Sequence, residues 1–256
     1  MLKKNVFTVL FFIILHSLSL YACAGDTDKH KKYTYLFVHG VTGGGWDWKG
    51  IDDRLTADGH TAFRVTLTGL GERAHLAHAD INLTTHINDV INTIHFENLV
   101  DVVLVGHSYG GMVITGVMDK IPERIGHVIF LDASVPNDGM SANDLSGPLP
   151  KNFAVKNGLV HFPWIDNTQP YPRDVPHPLK TLTEPVSYKN PKAKQLPVTY
   201  LAFVSPKYFD ARLKHDRSLQ HAKARGWDIQ TLDSDHNAHR SHPTELVALL
   251  KLIPTF

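Results

Sequence analysis

The sequence predicts an α/β fold: a mainly parallel sheet with helices on both faces and a cap inserted after the strand that ends near Asp132. Three observations lead there. From Tyr33 onward, apolar strand-like runs alternate with segments of helical periodicity, the pattern of strand–helix–strand crossovers. One run, Val102 to Val105, leads directly into Gly106-His107-Ser108-Tyr109-Gly110-Gly111, the G-x-S-x-G turn that presents a serine between a strand and a helix. Between residues 141 and 195 the periodicity fades and Pro163, Pro170, Pro172, Pro176, Pro178 and Pro185 accumulate. That stretch also carries Phe153, Phe162, Trp164, Tyr171 and Tyr188, so it has apolar surface to bury and reads as a cap rather than a linker.

The elements follow in order. Lys3 and Lys4 precede an apolar run from Val6 to Leu20 and then small residues, the layout of a secretory signal peptide over residues 1–24. The run is short for a membrane span. Cleavage is expected after Ala22-Cys23-Ala24 or ahead of Cys23, where Leu20-Tyr21-Ala22-Cys23 resembles a bacterial lipoprotein signal except at Tyr21. The expected location is therefore secreted or periplasmic, with a membrane-anchored lipoprotein attached through Cys23 as the alternative. A polar tether, residues 25–32, joins this segment to a core made of residues 33–140 and 196–256, with the cap at 141–195.

Within the core, Tyr33 to Val38 reads as the first strand and runs into His39-Gly40-Val41-Thr42-Gly43-Gly44-Gly45. Trp48, Ile51 and Leu55 recur at helical spacing until Gly59. Thr61 to Leu67 is a second strand, closed by Thr68-Gly69-Leu70-Gly71, where Glu72 and Arg73 are expected to pin the turn. Ile87, Val90, Ile91 and Ile94 mark an amphipathic helix with Thr84 or Thr85 as its cap. The serine turn has Met112, Val113, Val117 and Met118 on the helix that follows it. His127 to Leu131, Val198 to Val204 and Trp227 to Leu232 complete the strands, and Pro243 opens a last helix bearing Leu246, Leu249, Leu250 and Ile253.

Composition narrows the function. The 256 residues include 26 Lys plus Arg and 25 Asp plus Glu, a formal charge of +1, which gives no field to attract nucleic acid or anionic lipid. Cys23 is the only cysteine, so a cysteine nucleophile, a CxxC redox pair and a Cys-based zinc site are excluded from the folded domain. No cofactor motif and no protein-partner motif is present.

The chemistry centres on Ser108. Its hydroxyl needs a base to take its proton, and His236 in Asp235-His236-Asn237-Ala238-His239 follows the last strand, where a loop at the carboxyl edge can reach the serine. His239 is the nearest rival. A zinc reading of His236, His239 and His242 is set aside because Pro243 interrupts a regular helix through all three. The oxyanion hole is assigned to the backbone N–H groups of Val41 and Tyr109. For the acid that orients the imidazole, Asp132 at a strand end is preferred over Asp210 in a later loop, since a strand end holds a carboxylate more firmly.

With these residues in place, the chain resembles the α/β-hydrolase superfamily, and within it the plant methylesterases, hydroxynitrile lyases and their bacterial esterase relatives. The resemblance rests on His39-Gly40-Val41 with Gly44-Gly45-Trp46-Asp47-Trp48, on Leu67-Thr68-Gly69-Leu70-Gly71-Glu72-Arg73, on Gly106-His107-Ser108-Tyr109-Gly110-Gly111-Met112 and on Asp235-His236. It implies an α/β-hydrolase fold with Ser108 as nucleophile, His236 as base, and Val41 and Tyr109 as oxyanion amides. Two departures matter. The lyases carry threonine at the position of Gly40 and lysine at that of Asn237, which turns the expectation away from lyase chemistry. The group's usual acid position falls near Pro206, which favours Asp132, the placement found in some haloalkane dehalogenases.

The expected activity is that of a serine carboxylic ester hydrolase on small or medium apolar or aryl esters, with lactones and thioesters open to the same chemistry. The rival readings are a non-catalytic ligand-binding protein and a hydroxynitrile-lyase-type enzyme. Because the base must be neutral, activity is expected to rise with pH through roughly 6 to 7.5.

Overall fold

Residues buried on both sides of a strand must alternate between two cores, and the central strands here do so. The computed structural model describes residues 31–255. The expected signal peptide, Cys23 and most of the polar tether lie outside the described residues. Residues Tyr33–Pro254 form one compact unit. Its strands, in chain order, are β1 (Thr34–Val38), β2 (Thr61–Val65), β3 (Val102–His107), β4 (Ile125–Leu131), β5 (Ala154–Lys156), β6 (Leu159–His161), β7 (His177–Pro178), β8 (Val198–Phe203) and β9 (Asp228–Leu232). Among the described residues, six of them form a wholly parallel sheet in the order β2-β1-β3-β4-β8-β9.

The helices are α1 (Lys49–Ala57), α2 (Leu83–Phe96), α3 (Gly110–Lys120), α4 (Ala142–Ser146), α5 (Lys180–Thr183), α6 (Phe209–Leu213), α7 (Arg217–Ala224), α8 (Ala238–Ser241) and α9 (Pro243–Leu252). Leu36, Val38, Leu104, Val128 and Phe130 point to one core with α2, α3 and α7. Tyr35, Phe37, Val103, Val105, Ile129 and Leu131 point to the other with α1 and α9. The expected strands are all present, some shorter by one or two residues at an end.

One expectation needs correcting. The residue that caps α2 is Asn82, not Thr84 or Thr85: its side chain accepts from the Thr85 N–H at 2.9 Å, and Thr85 completes a capping box. Thr84 is engaged elsewhere, donating through its N–H and Oγ1 to Glu184 at 2.8 and 2.7 Å.

The segment between β4 and β8 folds back over the carboxyl edge of the sheet, and β5-β6-β7 form a small antiparallel sheet within it. Phe162 and Tyr188 are buried against the core as the composition suggests, yet Trp164 and Tyr171 are 53% and 78% exposed. Those two rings are surface, and Trp164 lines the functional cleft.

Candidate active site

Ser108 stands at the tip of β3 with φ 53°, a left-handed conformation that costs a non-glycine residue free energy and persists only where its surroundings enforce it. Here two backbone bonds do so: the Ser108 N–H donates to Leu131 O at 3.3 Å and its carbonyl accepts from the Ser134 N–H at 2.9 Å. The flanking glycines are required by close approach. A Cβ at Gly110 would lie 2.7 Å from Val38 O, and one at Gly111 would lie 2.1 Å from Ser134 O. Both clashes are with backbone, which cannot swing aside.

Asp132 lies one residue past β4, also at positive φ, 45°. Its Oδ2 is 2.6 Å from His236 Nδ1. Its Oδ1 accepts from the Phe203 N–H at 3.1 Å and pairs with Arg212 at 2.6 Å, and Arg212 is itself held by Asp216 and Phe203 O. The carboxylate is therefore fixed at both oxygens, with a cation offsetting the desolvation of a buried charge. Asp210, the alternative acid, sits on exposed α6. The structure brings Asp132 and His236 together and leaves Asp210 apart. No hydrogen bond links the Ser108 and His236 side chains, although both line the same cleft. Catalytic hydrogen bonds often close only around substrate.

His107, the middle residue between Gly106 and Ser108, is a site residue that sequence reasoning missed. It is buried, its Nε2–H donates to His236 O at 2.7 Å, and its ring lies 4.6 Å from that of His236. Burial, then the neighbouring His239 and His236, push its pKa well down, so the ring is neutral. The residue beside Ser108 thus tethers the loop that carries His236. His239, the rival base, is buried against Trp48 and His107 and approaches Asp47 at 3.4 Å. Burial would raise the pKa of Asp47, but contacts with His239 and Arg240 outweigh it and hold the carboxyl well below its usual range. Arg240 grips Asp47 with two hydrogen bonds of 2.6 and 2.8 Å, joining the glycine-rich loop to the loop of His236.

The backbone N–H groups of Val41 and Tyr109 donate to no other group among the described residues, and Val41, Ser108 and Tyr109 converge on one cavity wall. The loop that positions Val41 is held on both sides. His39 is buried, donates through Nδ1 to Gly40 O at 2.8 Å and accepts the Leu67 N–H on Nε2 at 3.1 Å. Burial lowers its pKa, and with a backbone donor on Nε2 the neutral tautomer is fixed. From the cap, His177 Nδ1 accepts the Thr42 N–H at 3.3 Å, and Val175 N–H donates to Thr42 O at 3.0 Å. Thr42 has φ 65°, so the residue next to Val41 is itself pinned in a turn by the cap. Tyr109 is anchored by its phenol, which donates to His86 Nδ1 at 3.0 Å while His86 Nε2 donates to Thr68 O at 3.0 Å. Burial pushes His86 down to about 3. Glu72 and Arg73 hold the preceding turn through Thr66 and Thr68, as expected.

Ser108 and Val41 border two cavities. A cleft of about 550 Å³ is lined by Asp47, His107, Trp164, Asp174, His236, Asn237 and Arg240, among others. A second cavity of about 300 Å³ under the cap is lined by Tyr109, Ala142, Leu149, Phe162 and Leu182 with a few small polar residues. Gly40 leaves room at their junction: a Cβ there would stand 3.0 Å from Ser108 Cβ and 3.5 Å from its Oγ.

A strained serine between tight glycines, a carboxylate–imidazole pair and two unengaged amides at the carboxyl edge of a parallel sheet agree with the family model that matches residues 35–249. The chain belongs to the alpha/beta hydrolase family. Among relatives of this alpha/beta hydrolase, a carbendazim-hydrolysing esterase of Nocardioides sp. (strain SG-4G) is 48% identical over 117 residues, 46% of this chain and 47% of that one. The pFDCC methylesterase MES16 of Arabidopsis thaliana is 27% identical over 84% of this chain and 92% of its own. The chain spans about half the length of the carbendazim esterase and of Methylesterases 10 and 1 of Arabidopsis thaliana. An extracellular alpha/beta-hydrolase from a Paenibacillus species, described as sharing structural and functional homology with tobacco salicylic acid binding protein 2, superposes with a TM-score of 0.69 at 23% identity, over 88% of this chain and 100% of that one. At that identity the likeness speaks for the fold alone.

Proposed function

We propose that this alpha/beta hydrolase is a serine carboxylic ester hydrolase acting on small or medium apolar or aryl esters. The observation that carries the reading is the 2.6 Å bond between Asp132 and His236 in a cleft shared with Ser108. Asp132 holds the imidazole by Nδ1, leaving Nε2 to take the Ser108 proton as Oγ attacks the ester carbonyl. The oxyanion that forms is met by the Val41 and Tyr109 N–H groups, which have no competing partner to surrender. His236 then passes its proton to the leaving alcohol. Water enters, His236 acts as base again, and the acyl-enzyme is hydrolysed.

The position of the base also assigns the two cavities. His236 lines the 550 Å³ cleft and not the 300 Å³ cavity. A proton donor has to stand beside the leaving oxygen, so the alcohol departs through the larger, more polar cleft and the acyl group lies under the cap. The names of relatives, an esterase and methylesterases, support ester hydrolysis. Glycine at position 40 and asparagine at 237 favour it over cyanohydrin cleavage. The N-terminal 24 residues support export to the periplasm or beyond, with Cys23 as the site for a lipid anchor, and the mass of the mature amino terminus distinguishes the two.

Hydrolysis of p-nitrophenyl esters from acetate to decanoate, beside Ser108→Ala, tests the proposal. The wild type should release nitrophenol, and the variant should lose several powers of ten in kcat. Equal inertness of both proteins, with a ligand still raising the melting temperature, would replace the hydrolase by a binding protein.

A further inference from the structure

The larger cleft contains a recognition element that ester hydrolysis itself does not use. Its charged groups are largely accounted for. Asp47 and Arg240 neutralise one another, and the Arg240 guanidinium also lies 5.1 Å over the Trp46 ring. Arg173, next to Asp174 in the chain but outside the cleft lining, is turned to the carbonyls of Asn167 and Gln169 and to the Tyr171 ring. Asp174 is different. It is half-buried, lines the cleft beside His236, and its Oδ1 lies 3.0 Å from the Thr42 hydroxyl, whose single proton is shared with Val41 O at 2.6 Å. Among the described residues no cation lies within ion-pair distance of it, although Arg240 stands in its field.

Beside it stands Trp164, fixed rather than loose: its Nε1–H donates to Thr42 Oγ1 at 3.1 Å and its ring rests on Phe162 at 4.6 Å. Phe162 lines the acyl cavity and Trp164 the larger cleft, so this pair is the partition between them. More than half of the residue's surface is exposed. A large aromatic face held rigid and left open to a cleft costs little further ordering when a flat group stacks on it.

We infer that Asp174 and Trp164 form a leaving-group subsite that selects esters whose alcohol portion is aromatic and carries a positive charge or N–H donors. This rests on the hydrolase reading and on the assignment of the alcohol to the His236 side. The indole takes the flat face and any cation over it, and the free Asp174 oxygen takes the donor. An anionic leaving group meets an unpaired carboxylate and is disfavoured. The acyl cavity has no part in this choice.

The test holds the acyl group constant and varies only the alcohol. Acetates of 3-(trimethylammonio)phenol and 3-tert-butylphenol present the same shape with and without a positive charge, and that of 3-carboxyphenol presents a smaller, negative group. Each kcat/KM is divided by the rate of hydroxide-catalysed hydrolysis to remove intrinsic reactivity. Wild type is expected to favour the cation over the neutral ester by about tenfold, and the neutral over the anion, the size of one partly screened charge contact. In Asp174→Asn the cation-to-neutral ratio should fall severalfold, to the share the indole alone supplies, while Asp174→Glu, which keeps the charge, should retain most of the wild-type ratio. Three results would overturn the proposal: a wild-type ratio that Asp174→Asn leaves unchanged, preference for the carboxyphenyl ester, or equal loss in Asp174→Asn and Asp174→Glu, which would assign the effect to the Thr42 contact. Failure of wild type to hydrolyse even the neutral ester would remove the hydrolase reading and this subsite with it. Turnover without charge preference removes the subsite alone.

Discussion

The two walls of the catalytic cleft are made of different material. On the sheet side, Ser108 and Asp132 stand at strand ends that glycine contacts and amide–carbonyl bonds hold in place. On the cap side, Phe162, Trp164, Asp174 and Leu182 reach the cleft as side chains from short, irregular elements. On the proposed function, the first wall specifies a reaction and the second a substrate. Changes in the first should act on every ester alike, and changes in the second should re-rank esters.

The sharpest way to break this division is at Asp132. Asp132→Asn keeps the size of the side chain but removes the anion that orients His236, and should lower kcat by about 10³–10⁴ for short and long esters together. Asp210→Asn should leave the same steady-state rates unaltered. A large effect at Asp210 with a small one at Asp132 would reverse the assignment. Next in size is Gly111→Ala, whose Cβ would fall 2.1 Å from Ser134 O. It should destabilise the fold by about 3 kcal/mol, read as a lower urea midpoint at unchanged slope. A wild-type midpoint would mean that β4 and α3 can part without cost.

On the cap wall, Phe162→Ala should change selectivity more than chemistry. The ratio of kcat/KM for octanoate to that for acetate should move about tenfold as the acyl cavity opens, whereas a uniform fall across the series would place Phe162 in the reacting machinery. The smallest effect concerns pH. Burial holds the pKa values of His39, His86, His107 and His177 below those of the unfolded chain. Such groups contribute stability above the unfolded value of about 6.5, and that stability is lost as pH falls below it toward the folded values, because the unfolded chain then binds more protons. Thermal melts from pH 7.5 to 5 should show the melting temperature falling by several degrees, mostly below pH 6.5. A constant melting temperature would mean that these rings accept protons inside the fold.

The same division governs how much could be read from the chain. The elbow is local, so Gly106, Ser108, Gly110 and the apolar run before them stand together in the sequence. Asp132 was readable because a strand end places its next side chain at the sheet edge. His177 holds Thr42 across 135 residues and Trp164 reaches it across 122, and no periodicity reports a contact of that kind. His107 was hidden for another reason: a histidine between a glycine and the nucleophile looks incidental until its bond to His236 O is seen. Asn82 takes the cap because the helix opens at Leu83, which puts Thr84 and Thr85 inside its first turn.

The bonds from Ser108 to Leu131 and from Ser134 back to Ser108 stitch the tip of β3 to the strand that leads into Asp132. Ser108 and Asp132 can separate only if β3 and β4 separate, which means melting the centre of the sheet. The cap is joined by scattered contacts and can loosen long before that. On warming, Ser108 and Asp132 should therefore stay together after the cap has begun to loosen, and with it the Thr42 turn beside Val41.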